Sequence, residues 1–209
     1  MDDLFQAEAV GMLSLPGPKQ EIGMTSNEMD LGELYERLRR EVFIQQDPQE
    51  LVWLMGLVSA LNPSTIIEIG VLNGGTLKIW EQLVQPGGLV IGIDKENQIR
   101  WDIKKSDRRV VFVNADSTNP ATVREVGRIL DGREADFLFI DGDHSLEGCR
   151  FDFENYSRFV RGGGLLALHD LQVGTRHPGT VFESLPGRKT QKLIGQGTGV
   201  WWKPSTNLE

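Results

Sequence analysis

The distribution of apolar residues divides the chain into short continuous runs and longer segments with a three-and-four spacing. A charged segment, 30–40, has a helical pattern, and apolar residues then recur at the spacing of one buried helix face, at Leu51, Leu54, Met55, Val58 and Leu61. Asp47 with Pro48 and Glu50 has the sequence of a capping-box-like helix start, and Asn62 with Pro63 ends the pattern. Two helices are therefore predicted ahead of the first strand.

Five short runs rich in β-branched residues come next, and helical segments separate them. The first run is 65–70, and the others are LVIGI, VVFVN, DFLFI and GLLAL, which end at or beside Asp94, Asp116, Asp141 and His169. Their ends recur every 22 to 28 residues, the length of one strand plus a crossover helix. This repeat predicts an α/β fold with a doubly wound, Rossmann-like, mostly parallel sheet and helices on both of its faces.

The end of the chain adds two more strands and completes a predicted seven-stranded sheet. Residues 189–194 and 198–203 flank a Gly-Gln-Gly turn and predict a C-terminal antiparallel hairpin. Residues 28–209 are therefore expected to form one domain. Residues 1–27 show no periodicity and carry a Pro-Gly-Pro sequence, so they are expected to form a tail or lid.

Composition and charge narrow the class of partner. The 209 residues include 22 basic and 30 acidic side chains, and the formal net charge of −8 argues against nucleic acid or an anionic membrane as a partner. A small uncharged or cationic acceptor fits this charge better. The single cysteine, Cys149, excludes an internal disulfide, and no secretory signal or membrane-spanning stretch is evident, so a cytoplasmic location is expected. Whether the chain forms a homo-oligomer stays open.

Acidic residues mark the expected ligand site. In a doubly wound sheet, ligands bind beyond the carboxyl ends of the strands, so the residues at those ends matter most. Each of the five strands ends in or near an acid: Glu68, Asp94, Asp116, Asp141 and Asp170. Any one of these could instead cap a helix N-terminus. Together they predict a polar site along one edge of the sheet.

The glycine loop after the first strand indicates the kind of cofactor. The sequence GVLNGGT, 70–76, lets the backbone pass close to a ligand, but it lacks the GxGxxG spacing of dinucleotide enzymes because Leu72 replaces a glycine. Glu68 in the preceding strand would repel a pyrophosphate. Asp94 is placed to accept hydrogen bonds from both hydroxyls of a ribose. Adenosylmethionine, a nucleoside with a cationic amino acid part, satisfies both conditions.

Three motifs resemble those of the class I methyltransferases: IIEIGVLNGG, VIGID and NADS, within a similarity that extends over 63–203. The resemblance implies that the glycine loop holds the methionine and ribose of adenosylmethionine. It also implies that the acid after the second strand binds the ribose and that the acid after the third lies beside adenine. Carried over, the cofactor-binding residues are Glu68, Gly70, Asn73, Gly74, Gly75, Asp94, Asp116, Ser117 and Asp141.

A second polar group lies around the fourth and fifth strands. Asp141 and His144 precede a helix, and His169 with Asp170 follows the next strand. Because these strands are neighbours in a methyltransferase sheet, their polar ends should meet. Two carboxylates and an imidazole can hold a divalent metal, so Asp141, His169 and Asp170 are the predicted ligands. Magnesium prefers oxygen, and His169 also admits manganese, iron or zinc. Alternatively, His169 is a hydrogen-bonded neighbour and Asp170 caps the following segment.

The segment FIDGDHSLEGCRFDFENYSRFVRGGGLLALHD, 139–170, resembles the cephalosporin hydroxylase-like and macrolide sugar O-methyltransferases. Their metal is held by an aspartate after the fourth strand and an acidic pair after the fifth, which match Asp141 and Asp170. His169 stands where the best-known members have glutamate. The resemblance also implies that His144, three residues after the first aspartate, is the general base, which makes His144 and Asp141 the predicted catalytic residues.

Three classes of function are consistent with these features. The leading hypothesis is a metal-assisted O-methyltransferase that acts on a sugar or natural-product hydroxyl. A second is another activity on the same fold, either methylation of nitrogen or without metal, or a dinucleotide-dependent oxidoreductase. A third is a non-enzymatic sensor of adenosylmethionine, which the presence of both His144 and Asp141 disfavours. The sequence carries no readable code for the acceptor.

Overall fold

A seven-stranded sheet forms the centre of the molecule. The computed structural model describes residues 30–106, 108–172 and 177–205. Its strands are β1 (Thr65–Ile69), β2 (Leu89–Asp94), β3 (Arg109–Asn114), β4 (Ala135–Ile140), β5 (Val160–Leu168), β6 (Lys189–Lys192) and β7 (Thr198–Trp202). They lie in the order β3-β2-β1-β4-β5-β7-β6, so β3 and β6 are the outermost of the described strands. Strands β1 to β5 are parallel, and β7 is antiparallel to both β5 and β6.

Six α-helices accompany the sheet in the described residues: α1 (Leu31–Glu41), α2 (Pro48–Ser59), α3 (Gly75–Leu83), α4 (Pro120–Leu130), α5 (Leu146–Tyr156) and α6 (His177–Ser184). The first two begin at aspartate caps. The side chain of Asp30 accepts hydrogen bonds from the amides of Gly32 and Glu33, and that of Asp47 accepts them from Gln49 and Glu50. These caps satisfy amides that have no partner inside the helix.

Two hydrophobic cores cover the two faces of the sheet. One packs α4, α5 and α6 against it, through residues such as Val126, Tyr156 and Phe182. The other packs α1, α2 and α3 against the opposite face, through residues such as Leu38, Met55 and Trp80. Helices on both faces leave the carboxyl ends of the parallel strands as the open side of the sheet.

The strand order reverses between β1 and β4, and this position opens a crevice. The chain winds outward through β2 and β3 in one direction and through β4 and β5 in the other. At such a reversal the loops diverge, which leaves room for a ligand.

The structure confirms the predicted fold. All seven strands lie where the sequence predicts them, and the C-terminal hairpin is antiparallel. The predicted tail or lid, 1–27, lies outside the described residues. No helix in the described part of the chain combines the length and the apolar character that a membrane span needs.

Candidate active site

The glycine loop and the end of β4 meet at the crevice. Gly70 has a φ of 85°, and a Cβ atom added there would lie 2.0 Å from the carbonyl oxygen of Asp141. The position therefore requires glycine both for its backbone conformation and for this close approach. The glycine loop therefore starts where the end of β1 touches the end of β4.

Two other segments of the chain contact the rest of the loop and hold it in place. A Cβ atom at Gly75 would lie 2.2 Å from the carbonyl oxygen of Phe43, so the segment before α2 packs directly on the start of α3. The indole Nε1 of Trp101 donates a hydrogen bond of 2.9 Å to the carbonyl oxygen of Gly74. Gly74 has a φ of 80° and does not line the cavity, whereas Asn73 and Gly75 do.

Asp94 fixes the loop from the end of β2. Its Oδ2 accepts hydrogen bonds of 2.8 Å from the amides of Val71 and Leu72, and its Oδ1 accepts one of 3.0 Å from Glu96. A carboxylate has about four lone-pair positions, so about one remains for a ligand. Asp94 also lines the cavity, which places its carboxylate both in the loop scaffold and in the cavity wall.

The structure does not bring the predicted residues Glu68 and Asp116 to the cavity wall. Glu68 is fully buried beneath the loop, where Thr76 donates a hydrogen bond to it and burial raises the pKa of its carboxyl well above the usual range. Asp116 accepts two hydrogen bonds from Thr118, one from its amide at 2.9 Å and one from its hydroxyl at 2.7 Å. Its carboxylate therefore fixes a turn, while the neighbouring Ser117 lines the cavity.

Carboxylates and imidazoles converge on the other side of the crevice. Nε2 of His144 lies 2.8 Å from Oδ2 of Asp170 and 3.8 Å from Oδ1 of Asp141. Nδ1 of His169 lies 3.1 Å from Oδ1 of Asp141 and 3.3 Å from Oδ1 of Asp170. The side chain of His144 is half exposed, whereas those of His169 and Asp170 are buried.

The charges in this group shift one another's pKa values. The carboxylates of Asp141 and Asp170 raise the pKa of His144 to about 10. For His169, burial opposes the charged form, but Asp141 and Glu50 outweigh it and raise the pKa to about 10. Burial would raise the pKa of Asp141, yet hydrogen bonds from both histidines lower it overall. The group thus combines negative and positive charge in a small volume.

Two further residues of the site, Gln46 and Glu50, were not predicted from the sequence. Nε2 of Gln46 donates a hydrogen bond of 2.8 Å to Oδ2 of Asp141, and Oε1 of Glu50 lies 3.3 Å from Nε2 of His169. Both belong to α2 or the segment before it, about 95 to 120 residues from their partners. The sequence assigned Glu50 only to the capping-box-like start of α2, whereas its carboxylate accepts hydrogen bonds from Gly197 and Thr198.

One cavity of about 520 Å³ connects the two halves of the site. Its wall includes nine of the predicted residues: Gly70, Asn73, Gly75, Asp94, Ser117, Asp141, His144, His169 and Asp170. Three glutamines, Gln45, Gln46 and Gln196, and the exposed Phe43 lie along the same wall. The cavity wall thus combines the polar sheet edge with amide groups and an aromatic ring.

The donor set fits a divalent cation. Asp141, His144 and Asp170 each offer a ligand atom, and these atoms lie within 4.8 Å of one another. Oδ1 of Asp170 is buried and accepts no hydrogen bond among the described residues, and its neighbour is Nδ1 of His169 at 3.3 Å, so a cation could satisfy it. Two carboxylates and an imidazole are ligands that several divalent metals accept. His144 thus joins the two aspartates in this set, and the predicted ligand His169 lies beside them, with its Nδ1 3.1 Å from Oδ1 of Asp141.

The strand order, the glycine loop and the acid after β2 define the class I methyltransferase fold. Residues 36–186 match the sequence model of the Rhamnosyl O-methyltransferase/CmcI family. The chain belongs to this family, which confirms the resemblance that its motifs indicate.

Each individual relative matches only part of this chain. The Rhamnosyl O-methyltransferase of Mycobacterium tuberculosis is 26% identical over 127 residues, which are 58% of this chain and 51% of that protein. An uncharacterized protein, R132, of Acanthamoeba polyphaga mimivirus is 31% identical over 119 residues, or 52% of each chain. The chain therefore spans about half the length of the relatives it matches.

Solved structures share the fold at lower identity. The MycE methyltransferase of the mycinamycin pathway, in complex with Mg, SAH and mycinamycin VI, is 18% identical with a TM-score of 0.61, over 88% of this chain and 57% of that one. An O-methyltransferase from Bacillus cereus in complex with SAH is 17% identical with a TM-score of 0.60, over 84% and 91% of the two chains. At these identities the likeness establishes the fold.

Proposed function

We propose that this protein transfers the methyl group of adenosylmethionine to a hydroxyl group of a small molecule, with the assistance of a divalent cation. The observation that carries the proposal is the single cavity that joins the Asp94 loop scaffold to the Asp141, His144 and Asp170 group. A cofactor held at the first group would direct its reactive end toward the second. The names of the M. tuberculosis relative and of MycE support the same reaction class.

The cofactor would lie along the wall from Ser117 to the glycine loop. Asp94 would use its remaining acceptor position for a ribose hydroxyl, while the loop amides that it already binds stay fixed. Gly70, Asn73 and Gly75 would contact the rest of the cofactor. Glu68, Gly74 and Asp116 would act on it indirectly, by supporting the loop and the turn that border it.

Asp141 and Asp170 would hold the cation, and His144 lies within reach of the same position. When bound, a divalent cation would orient the acceptor hydroxyl, lower its pKa and cancel the negative charge that keeps His144 protonated. Magnesium and manganese suit the two carboxylates best, and the nearby imidazoles also allow iron or zinc.

The reaction itself is a displacement at carbon. The acceptor oxygen forms a bond to the methyl carbon, the carbon–sulfur bond breaks, and its electron pair stays on sulfur to give adenosylhomocysteine. The hydroxyl proton passes to the imidazole of His144, which lines the cavity and is half exposed. Because the sulfonium is already activated, the main contribution of the protein is to align the three reacting atoms.

Part of the cavity wall suits a neutral, hydroxyl-rich acceptor such as a sugar. Gln45, Gln46 and Gln196 offer both donors and acceptors of hydrogen bonds, and Phe43, with 61% exposure, offers a ring face. The net charge of −8 argues against nucleic acid and anionic membranes as partners.

Calorimetric titration with adenosylhomocysteine, NAD and Mn²⁺ tests the proposal. We expect binding of adenosylhomocysteine that Asp94→Ala abolishes and that Glu96→Ala, a change in the exposed acid two residues away, leaves intact. We also expect a separate heat for Mn²⁺, and transfer of labelled methyl groups from adenosylmethionine to a rhamnoside in a panel of hydroxyl compounds. Binding of NAD without adenosylhomocysteine would refute the proposal and leave only the fold.

A further inference from the structure

Glu50 is a buried carboxylate at a junction of three elements. It lies in the first turn of α2, where the Asp47 cap fixes the helix start, and it is 1% exposed. Its Oε2 accepts a hydrogen bond of 3.0 Å from the amide of Gly197, and its Oε1 accepts one from the hydroxyl of Thr198. A buried carboxylate is costly unless it is paired, so these contacts determine where its charge is directed.

That charge faces His169. Oε1 of Glu50 lies 3.3 Å from Nε2 of His169, and Nδ1 of the same imidazole lies 3.1 Å from Oδ1 of Asp141. The three side chains form a continuous row from α2 to the end of β4, with exposures of 1%, 3% and 13%. The ring of Phe139 packs edge-on against the imidazole at 6.1 Å between centroids, which limits its rotation.

Within the row, each nitrogen of His169 has a carboxylate beside it, although the contact between Nε2 and Glu50 is an ion-pair contact and not a hydrogen bond. An imidazole nitrogen that binds a metal must point its lone pair toward it. Nε2 faces Glu50, which does not line the cavity, and Nδ1 faces the carboxylates of Asp141 and Asp170. The ring thus shares the cavity wall with the two aspartates, and each of its nitrogens lies within 3.3 Å of a carboxylate oxygen.

We propose that Glu50 is a positioning residue that acts through His169 to hold the Asp141 carboxylate in place for a divalent cation, and that His169 is not itself a ligand. The inference rests on the metal-binding part of the proposed function. Carboxylate and imidazole partners of a metal ligand fix its orientation, and their loss typically weakens metal affinity about 10- to 100-fold.

Mn²⁺ titration of the full chain, followed by electron paramagnetic resonance, tests the inference without an activity assay. The variants are Glu50→Gln, His169→Gln, the double variant, and Glu154→Gln as a control in an exposed acid of α5. Each single variant should weaken Mn²⁺ binding about 10- to 100-fold, and the control should not. The double variant should bind no more weakly than either single variant, because both changes break the same row. All affinities are measured well below the melting temperature of each variant.

Thr198→Val provides a second route if Glu50→Gln does not fold. It removes one hydrogen bond to Glu50 without touching His169, and it should weaken Mn²⁺ binding by a smaller factor. Pulsed resonance of bound Mn²⁺ should show no nitrogen coupling that His169→Gln removes. Such a coupling would overturn the inference, as would wild-type affinity in Glu50→Gln or effects that multiply in the double variant. Failure of the unsubstituted chain to bind Mn²⁺ would overturn the metal site itself together with this inference.

Discussion

Nε2 of His144 lies 2.8 Å from Oδ2 of Asp170, although 26 positions separate the two residues in the sequence. The contact joins the loop after β4 to the second residue of the His169-Asp170 pair that follows β5. It places the expected base beside a carboxylate that the proposed cation would share. A substitution at His144 therefore tests the base role, and one at Asp170 tests the cation site.

Replacement of the base tests the first of these roles. His144→Gln should lower kcat for methyl transfer by about 10²- to 10⁴-fold, the usual contribution of a general base. Binding of adenosylhomocysteine should be unchanged, because His144 lies at the acceptor side of the cavity and is half exposed. Stopped-time assays with labelled adenosylmethionine measure the rate. His177→Gln, in the first turn of α6, is the control, and undiminished turnover in His144→Gln would rule out the base role.

Asp170→Asn tests the cation site. Asp170 has a φ of 58°, a conformation that asparagine also tolerates, so the change removes the charge while it keeps the backbone. Mn²⁺ affinity should fall by a factor on the order of 10 or more, whereas adenosylhomocysteine binding should persist. Asp170→Ala should in addition destabilise the fold, by about 1–2 kcal/mol for a left-handed residue. Calorimetry at fixed pH measures both ligands, and equal Mn²⁺ affinity in the Asn variant would exclude Asp170 as a ligand.

A pair of glycine substitutions separates the close contact of the loop from its backbone conformation. Gly70 and Gly87 both have positive φ, 85° and 76°, but only at Gly70 would a Cβ collide with another atom. Gly87→Ala should cost about 1–2 kcal/mol of unfolding free energy, for its backbone alone. Gly70→Ala should cost clearly more and should abolish adenosylhomocysteine binding. Urea unfolding measures the difference, and equal losses in the two variants would show that the contact with Asp141 is unimportant.

Asp152 should make stability depend on pH. It is fully buried on α5 without a hydrogen-bond partner among the described residues, and burial raises its pKa to about 7. In the unfolded chain its pKa is about 3.9, so between about pH 4 and 7 the folded state binds the extra proton. The free energy of unfolding contributed by this group therefore falls as pH rises through this range.

Asp152→Asn should remove that dependence. The variant should gain stability relative to the unsubstituted protein at pH 8, and the gain should shrink toward pH 4. Urea unfolding at several pH values gives the comparison, in which the other titrating groups cancel. If the free energy of unfolding depends on pH in the same way for both proteins, the pKa of Asp152 is not raised by folding.

The sheet could be predicted because its signals are local. Each strand is a short β-branched run such as 89–94, and the acid or glycine that ends it follows directly in the sequence. The parallel arrangement follows from the regular spacing of these runs, and the position of Asp94, Asp141 and Asp170 on one edge follows from the arrangement. The strand positions, their parallel arrangement and the shared edge could all be predicted without knowing where any side chain points.

Side-chain direction and long-range packing account for what could not be predicted. Glu68 points beneath the loop toward Thr76, and Asp116 turns back to Thr118, because each finds a nearby donor there. Gln46 and Glu50 reach the site only because α2 packs across the sheet, and no local pattern encodes that packing.

The lysines of strand β6 affect the behaviour of the protein in concentrated solution. Strand β6 is the outermost described strand on its side of the sheet, and a strand in this position offers backbone groups to which another chain can add. Lys189 begins it and Lys192 ends it, and the ammonium of Lys189 also donates to the carbonyl oxygens of Glu183 and Leu185 at the end of α6. Burying such charges against a second sheet would be costly. The two lysines therefore oppose aggregation through this edge, a hazard against which the helices on the sheet faces give no protection.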